Sequence, residues 1–400
     1  MTRPYLTCLI IGLGGLFYGV TGPLLSTFVP LLVRDALGDH RTLIGVVMAI
    51  DNVLLLLLVP WAGAASDRAT AKGGGRLRIV LAGLVLAAAG MALFPRSAPL
   101  GLAGVIGATI VLYSGINLVR SPFQALLADL VPSRFRSLAS GSVTFQMCVG
   151  AIVFLMLGRI LGMQTAFAIA AATVLAIAAA FALFVREPQA GSGEAASVGS
   201  VWAAAWAAVR GDVAGLRAIF IAALLLQLTF QSFTTWYALH AVERFGIRPA
   251  DVTIGFIAWA MGGVVGALPA GMLGVRLGRR NAMMLGFLLM AVSLVALDRV
   301  SAMRFAIPLI ALASAAWTFP TVNAYPLFIE QIPRHARGVL ASLFLLCMAL
   351  GGAIGDPLNG RLFDLFDSYG TLFVHMSVYT ALAVAATLAI PRGAGEADQA

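Results

Sequence analysis

Long apolar segments separated by short polar ones run through the whole chain. Twelve of these segments reach the length of about 20 residues that an α-helix needs to cross a bilayer. The pattern therefore predicts an all-α membrane protein with twelve transmembrane helices. The expected helices are 5–33, 41–65, 78–94, 99–127, 137–159 and 163–185, followed by 216–240, 250–273, 281–298, 303–327, 338–362 and 370–390.

Composition and charge support the membrane class. Hydrophobic residues make up 60% of the chain and charged residues 11%, whereas soluble domains carry about 25% charged residues. The net charge of +9 does not indicate a nucleic-acid partner, because the basic residues lie in short loops between apolar segments. Their bias towards alternate loops predicts that both termini are cytoplasmic. The abundance of Arg, Ala and Gly is typical of a bacterial chain, so we expect the bacterial inner membrane.

The longest polar stretch divides the twelve segments into two sets of six. We expect an N-terminal six-helix bundle at 1–185, a cytoplasmic linker at 186–215 and a C-terminal six-helix bundle at 216–392. Within the linker, Trp202 and Trp206 are four residues apart, which favours a short helix lying at the membrane interface. The alternative is a plain connection with no membrane contact.

The two halves carry the same polar pattern after their fourth helix. Three residues recur at a constant offset of 201: Asp129, Pro132 and Arg136 return as Glu330, Pro333 and Arg337. Internal repeats of this kind are typical of duplicated transporters.

The loop after the second helix identifies a family. Its Gly63, Asp67 and Arg68, followed by further basic residues, resemble the loop 2–3 motif of the major facilitator superfamily, and Gly271 and Arg276 form a weaker second copy. This resemblance implies two six-helix bundles that work by alternating access. It also implies polar clusters that hold the two halves together in the outward-facing state and break when the cytoplasmic side opens. We expect Asp67 to pair with Arg136 or a helix N-terminus, Asp129 with Arg134, and Glu330 with Arg337. The expected gating residues are Gly63, Asp67, Arg68, Asp129, Arg136, Glu330 and Arg337. The alternative role is salt bridging that only fixes topology.

A narrower resemblance lies in the fourth helix. The run from Ser121 to Arg136 is similar to a motif of sucrose and glycoside–proton symporters. Gln124 stands where that branch has an arginine, and this chain places Arg120 one turn earlier. The resemblance implies proton-coupled uptake of a sugar or glycoside.

Asp51 is the most informative single residue. It lies in the apolar stretch Leu43–Val59, near the expected middle of the bilayer, where a carboxylate costs about 3 kcal/mol on insertion scales. Arg120 is in the same half, so the two side chains are candidates for proton coupling, or else form a static pair. Asp356 is the candidate in the second half, where it either lines a cavity or caps a broken helix.

In this superfamily helices 1, 4, 7 and 10 line a central cavity, and their amide, hydroxyl and aromatic groups suit a sugar. The expected substrate-binding residues are Tyr18, Asn52, Asn117, Arg120, Gln124, Gln227, Gln231, Trp236, Trp317 and Asn323. The alternative for any one of them is ordinary hydrogen bonding between helices.

The preferred function is therefore a proton-coupled sugar or glycoside symporter, monomeric and surrounded by lipid. A proton-driven exporter of drugs or metabolites is the nearest alternative, and sodium remains a second candidate for the coupling ion. The scattered histidines and cysteines have no metal-ligand spacing, and no nucleophile–base arrangement stands out. We expect no metal, no cofactor and no enzymatic activity.

Overall fold

The chain is helical almost throughout the part that the structure describes. The computed structural model describes residues 3–71, 75–132, 135–187, 215–330 and 337–391. The helices in these ranges are α1 (Arg3–Leu37), α2 (Arg41–Met48), α3 (Ile50–Ala71), α4 (Arg76–Leu93), α5 (Gly101–Leu130), α6 (Arg136–Leu161), α7 (Met163–Phe184), α8 (Leu216–Phe245), α9 (Thr253–Leu277), α10 (Arg279–Asp298), α11 (Met303–Glu330), α12 (Arg337–Phe366) and α13 (Leu372–Leu388).

The lengths of these helices suit a membrane. Eleven helical segments among the described residues are long and apolar enough to cross a bilayer, and α12, with 30 residues, is a further long helix. The second span is not one continuous helix, because α2 and α3 are separated at Ala49. The predicted all-α membrane fold is confirmed. The predicted interfacial helix with Trp202 and Trp206 lies outside the described residues.

Glycines end several of the helices. Gly162, Gly246 and Gly278 follow α6, α8 and α9 with φ angles of 80°, 61° and 81°. Residues with a Cβ rarely adopt a positive φ, so glycine is favoured where the chain leaves a helix in this conformation. These glycines allow neighbouring helices to be joined by short connections.

The helices group into two units that use the same pairings. Met1–His40 and Ile50–Val198 form unit 1, whereas Arg41–Ala49 and Gly199–Ala400 form unit 2. In unit 1, α1 packs on α6, α3 on α5, and α4 on α5 and α7. In unit 2, α8 packs on α12, α9 on α11, and α10 on α11 and α13. The corresponding helices of each half are therefore paired alike, as the sequence repeat predicts.

One segment departs from the predicted domain bounds. The sequence predicts that residues 41–49 belong to the N-terminal bundle. In the structure, α2 packs against α12 and belongs to unit 2. The physical reason is close contact between small residues. A Cβ on Gly45 would clash with the backbone of Asp356, and one on Gly360 would clash with the backbone of Arg41.

Glycine also allows close helix packing elsewhere. Gly15 and Gly19 of α1 face backbone atoms of α6, and Gly262 and Gly266 of α9 face backbone atoms of α11. Van der Waals contact drives much of the helix association in a membrane, and small residues let helix backbones approach closely. These glycines thus hold α1 against α6 and α9 against α11.

We predict that Gly262→Ala destabilises the protein more than Gly271→Ala does. Both glycines lie in α9 and both substitutions change helix propensity equally. The new methyl group meets the carbonyl oxygen of Ala311 only at position 262, because position 271 faces open space. Overpacking of this kind costs about 1–3 kcal/mol. Thermal unfolding in detergent measures the difference, and equal melting temperatures for the two variants would show that this contact is not tight.

Candidate functional site

Arg76 connects two carboxylates in unit 1. Its guanidinium lies 2.7 Å from Asp67 Oδ1 and 3.0 Å from Asp129 Oδ2. Asp67 is near the C-terminal end of α3, Asp129 near the end of α5, and Arg76 begins α4. One arginine therefore joins the ends of three helices through charge-assisted contacts.

This arrangement adds a partner to the predicted pairing of the gating residues. The sequence predicts that Asp67 binds Arg136 or a helix N-terminus and that Asp129 binds Arg134. Among the described residues, both carboxylates bind Arg76, the first residue of α4. Arg136 begins α6, and its side chain lies outside the described atoms, as does the whole of Arg134. Since Arg76 is only nine residues after Asp67, the start of the next helix brings it back to the same membrane face.

The remaining predicted gating residues have simpler surroundings. Arg68 is exposed and donates a hydrogen bond to the carbonyl of Ala64, 3.2 Å away. Gly63 lies close to the side chain of Ser121. Glu330 ends α11 and Arg337 begins α12, and their side chains are outside the described atoms, so their pairing stays a prediction.

Glu187 supports the same region and was missed in the sequence. It follows α7, and its carboxylate accepts hydrogen bonds from the backbone N–H groups of Gly75, at 2.6 Å, and of Leu77. These groups begin α4 and have no partner within the helix. An acidic side chain there also complements the helix dipole. Glu187 thereby fixes the helix start that carries Arg76.

Asp51 occupies the first turn of α3, two residues after the break at Ala49. Asn117 of α5 donates a hydrogen bond from Nδ2 to Asp51 Oδ1 at 2.9 Å, and the same amide contacts the carbonyl of Tyr113 at 3.0 Å. Asn117 is fully buried, whereas Asp51 remains partly accessible. The amide therefore holds the carboxyl group in one orientation.

Arg120 acts on this carboxyl group from a distance. Its guanidinium interacts electrostatically with both Asp51 and the hydroxyl group of Tyr18, but no direct ion pair joins it to Asp51 among the described residues. Tyr18 is held edge-on against Phe123, with ring centroids 6.2 Å apart. Asp51, Asn117, Arg120 and Tyr18 form a cluster that we call the unit 1 polar site.

Two other predicted substrate-binding residues of unit 1, Gln124 and Asn52, form no hydrogen bond to Asp51. Gln124 is exposed and makes no hydrogen bond to another described residue. Asn52 is buried, with 5% exposure, and its Nδ2 atom has no partner among the described residues. Neither side chain contacts Asp51 in the way that Asn117 does.

Asp356 is fully buried in unit 2. Gln231 of α8 donates a hydrogen bond from Nε2 to Asp356 Oδ2 at 3.0 Å and contacts the Thr235 hydroxyl at 3.1 Å. The helix α12 continues through Pro357. The expectation that Asp356 caps a broken helix near the surface is therefore wrong, and its complete burial also separates it from open solvent.

A second polar layer lies one turn further along α12. Asn359 donates to the Ser232 hydroxyl at 2.8 Å and accepts a hydrogen bond from the Tyr379 hydroxyl at 3.2 Å. These contacts join α8, α12 and α13 around fully buried groups. The carboxyl group of Asp356 is thus held in a rigid part of unit 2.

Arg41 anchors the start of α2 in the same unit. Its guanidinium lies 2.6 Å from Asp367 Oδ1 and 4.9 Å from the centre of the Tyr369 ring. Asp364 accepts hydrogen bonds from the backbone N–H of Arg41 at 3.2 Å and of Thr42 at 3.0 Å. The charges bind α2 to α12, although sequence spacing gives no sign of a pairing across more than 320 residues.

Two predicted binding residues are buried by close packing. Trp236 has no exposed surface and packs against Phe363 and Tyr369, with ring centroids 5.0 and 6.0 Å apart. Asn323 is 4% exposed and donates to the carbonyl of Ala270 at 3.1 Å, joining α11 to α9. Both side chains have structural partners, and their substrate contacts stay predictions. Gln227 and Trp317, by contrast, remain partly accessible.

We predict that Arg76→Gln lowers thermal stability more than Arg78→Gln does. Both residues lie in the first turn of α4, but Arg78 is exposed and forms no ion pair with a described residue. Arg76 is 14% exposed and holds two partly exposed carboxylates. Its loss should cost about 1–3 kcal/mol, between the values for exposed and buried pairs. Melting curves of the purified variants test this, and equal curves would argue against a structural role for Arg76.

Comparisons with known proteins agree with this architecture. The family model described as Major Facilitator Superfamily matches residues 9–355 and 219–399. No curated protein matches the chain. A crystal structure of the nucleoside transporter NupG has 13% identity and a TM-score of 0.79, covering 97% of this chain and 99% of that one.

Two further structures span the same length. A structure of the E. coli fucose:proton symporter FucP has 14% identity and a TM-score of 0.61, covering 96% of this chain and 99% of that one. The human organic anion transporter MFSD10 has 17% identity and a TM-score of 0.66, covering 96% and 100%. At these identities the structures support the fold, and the match of the family model decides the family. The chain belongs to the Major Facilitator Superfamily of membrane transporters.

Proposed function

We propose that the protein is a secondary active transporter that carries a sugar or glycoside together with protons by alternating access. The observation that carries this proposal is the unit 1 polar site. It holds a carboxyl group oriented by a buried amide, with a cation nearby that is not paired to it directly. We further propose that both termini face the cytoplasm of a bacterial cell and that the protein works as a monomer.

The geometry suggests how substrate and proton are coupled. Asp51 binds and releases the proton, and Asn117 keeps the carboxyl group in one orientation. Arg120 acts on Asp51 electrostatically and has hydrogen-bond donors left for a substrate hydroxyl. A substrate that binds the guanidinium changes its influence on Asp51, and thus the proton affinity. Coupling between two ligands of one protein is typically worth about 1–3 kcal/mol.

Unit 2 supplies the second part of the proposal. Gln227, Gln231 and Thr234 lie on one face of α8 and are partly accessible. Amide and hydroxyl groups of this kind bind sugar hydroxyls. Because polar groups are unfavourable in contact with lipid, we propose that this face of α8 is turned away from the lipid. Gln231 also reaches Asp356, so we propose that Asp356 senses substrate through this glutamine.

The neighbouring structures are consistent with the proposed substrate class. One is named as a fucose:proton symporter and another as a nucleoside transporter, and both kinds of compound contain a sugar. The human neighbour is named as an organic anion transporter, so proton-driven export of metabolites or drugs remains the second candidate.

We predict that Asp51→Asn abolishes accumulation driven by a proton gradient but retains exchange of substrate across the membrane. Asparagine preserves the size of the side chain and an oxygen that accepts the hydrogen bond from Asn117, but its amide neither gains nor loses a proton near neutral pH. The measurement is uptake of radiolabelled sucrose, maltose and other glycosides into proteoliposomes, with and without an inward proton gradient. Counterflow of the same sugar reports exchange.

Asp35→Asn is the matched control, because Asp35 is in the same half and its side chain is 69% exposed. It should behave like the wild type. Full gradient-driven accumulation in Asp51→Asn would remove the proton role of Asp51, and stimulation by a sodium gradient instead would identify the other coupling ion. If no sugar accumulates in folded protein, and the gradient expels organic ions or drugs instead, the exporter is the better description.

A further inference from the structure

Three aromatic side chains from three helices of unit 2 form a cluster that we call the aromatic platform. Its members are Phe230 of α8, Trp259 of α9 and Trp317 of α11. Phe230 and Trp317 are stacked, with centroids 4.8 Å apart and an interplanar angle of 20°. Trp259 lies 6.2 Å from Phe230 and 6.0 Å from Trp317.

One side of the platform is buried against another ring, whereas two of its members keep exposed surface. Phe233 stacks on Trp259 at 4.1 Å, and these two rings are 1% and 8% exposed. Phe230 and Trp317 remain partly accessible. The inner rings therefore support the outer two, which keep surface available for another molecule.

Two platform residues lie on the side of their helix opposite the one that suits lipid. On α9 the most exposed residues include Val264, Leu268 and Val275, with 61%, 78% and 88% exposure. At 100° per residue they lie roughly opposite Trp259. On α8, Ile221 is 51% exposed and lies on the opposite side from Phe230. On both helices the platform residue therefore lies away from the most exposed apolar residues.

Polar groups next to the platform have hydrogen bonds to offer. Gln227 is one turn before Phe230 and partly accessible, and its amide has no hydrogen-bond partner among the described residues. Trp317 Nε1 is buried and likewise has no partner among the described residues, so it is available only to a group that reaches the buried edge of the indole. A planar amide next to a stacking surface can donate and accept at the edge of a flat heterocycle, as glutamine does with adenine.

We propose that the aromatic platform binds a planar ring carried by the substrate, so that the transported compound is a glycoside with a flat aromatic group. This rests on the proposed function, which assigns the sugar part to the polar residues. The ring is either a nitrogen heterocycle, as in a nucleoside, or a plain aryl group, as in a phenyl glycoside. Stacking serves both, whereas the Gln227 amide recognises only a heterocycle with donors and acceptors at its edge.

The test compares matched ligands with and without the ring. Uridine and methyl ribofuranoside form one pair, and phenyl glucoside and methyl glucoside form the other. Binding of each compound is measured by calorimetry on the purified full chain. Stacking on an aromatic side chain is worth about tenfold or more in affinity. We expect the ring-bearing member of at least one pair to bind about tenfold tighter.

Variants locate the effect. Trp317→Leu should reduce the ratio of affinities within the pair towards one, and Trp317→Phe should keep most of it because phenylalanine still stacks. Trp61→Leu is the control, since Trp61 is 54% exposed and belongs to unit 1, whereas the platform residues belong to unit 2. Gln227→Leu should lower the affinity for uridine more than the affinity for phenyl glucoside, because only the heterocycle offers the amide donors and acceptors at its ring edge. That difference separates the heterocycle from the aryl group.

The outcomes separate this inference from the proposed function. Equal affinities within both pairs in the wild type, or an unchanged ratio in a folded Trp317→Leu variant, overturn the platform while sugar transport stands. A ring preference without uptake driven by a proton gradient supports the platform and removes proton symport. No binding of any of the four compounds overturns the inference.

Discussion

The cost of placing polar groups in an apolar medium governs this structure. Every carboxylate or amide in a span needs a partner or access to water, because lipid supplies neither. Asp51 is held by Asn117 and Asp356 by Gln231. Since each pair joins different helices, the need for a partner also fixes which helices lie side by side. The candidate sites are thus part of the packing of each unit.

Close contact at glycines brings the same helices together. Gly63 of α3 lies against Ser121 of α5, Gly351 of α12 lies against Gln227 of α8, and Gly45 of α2 lies against the backbone of α12. The segment with Gly45 packs within unit 2, and after Ala49 the chain continues into α3, which carries Asp51.

The two units differ in the chemistry that they offer. Unit 1 contains an acid, an amide, a guanidinium and a phenol, a combination suited to moving a proton in response to a bound molecule. Unit 2 contains a buried acid and an accessible amide next to stacked aromatic rings, a combination suited to recognition of shape. The sequence repeat preserved the pairing of helices but not these side chains. Duplication followed by divergence of the lining residues explains how one fold serves different substrates.

The sequence by itself determined the helix count, the internal repeat and the family, because long apolar segments and short loop motifs are local signals. It also singled out Asp51 as a candidate for proton coupling, since a charged residue within an apolar segment is visible without knowledge of the residues that pack around it. It did not show that Trp236 and Asn323 are buried by packing, and it missed Arg76 as a partner of Asp67 and Asp129. A helix has several faces, and polarity alone does not say which one is covered. Only the tertiary structure decided these partners, because they depend on which helices meet and at what height.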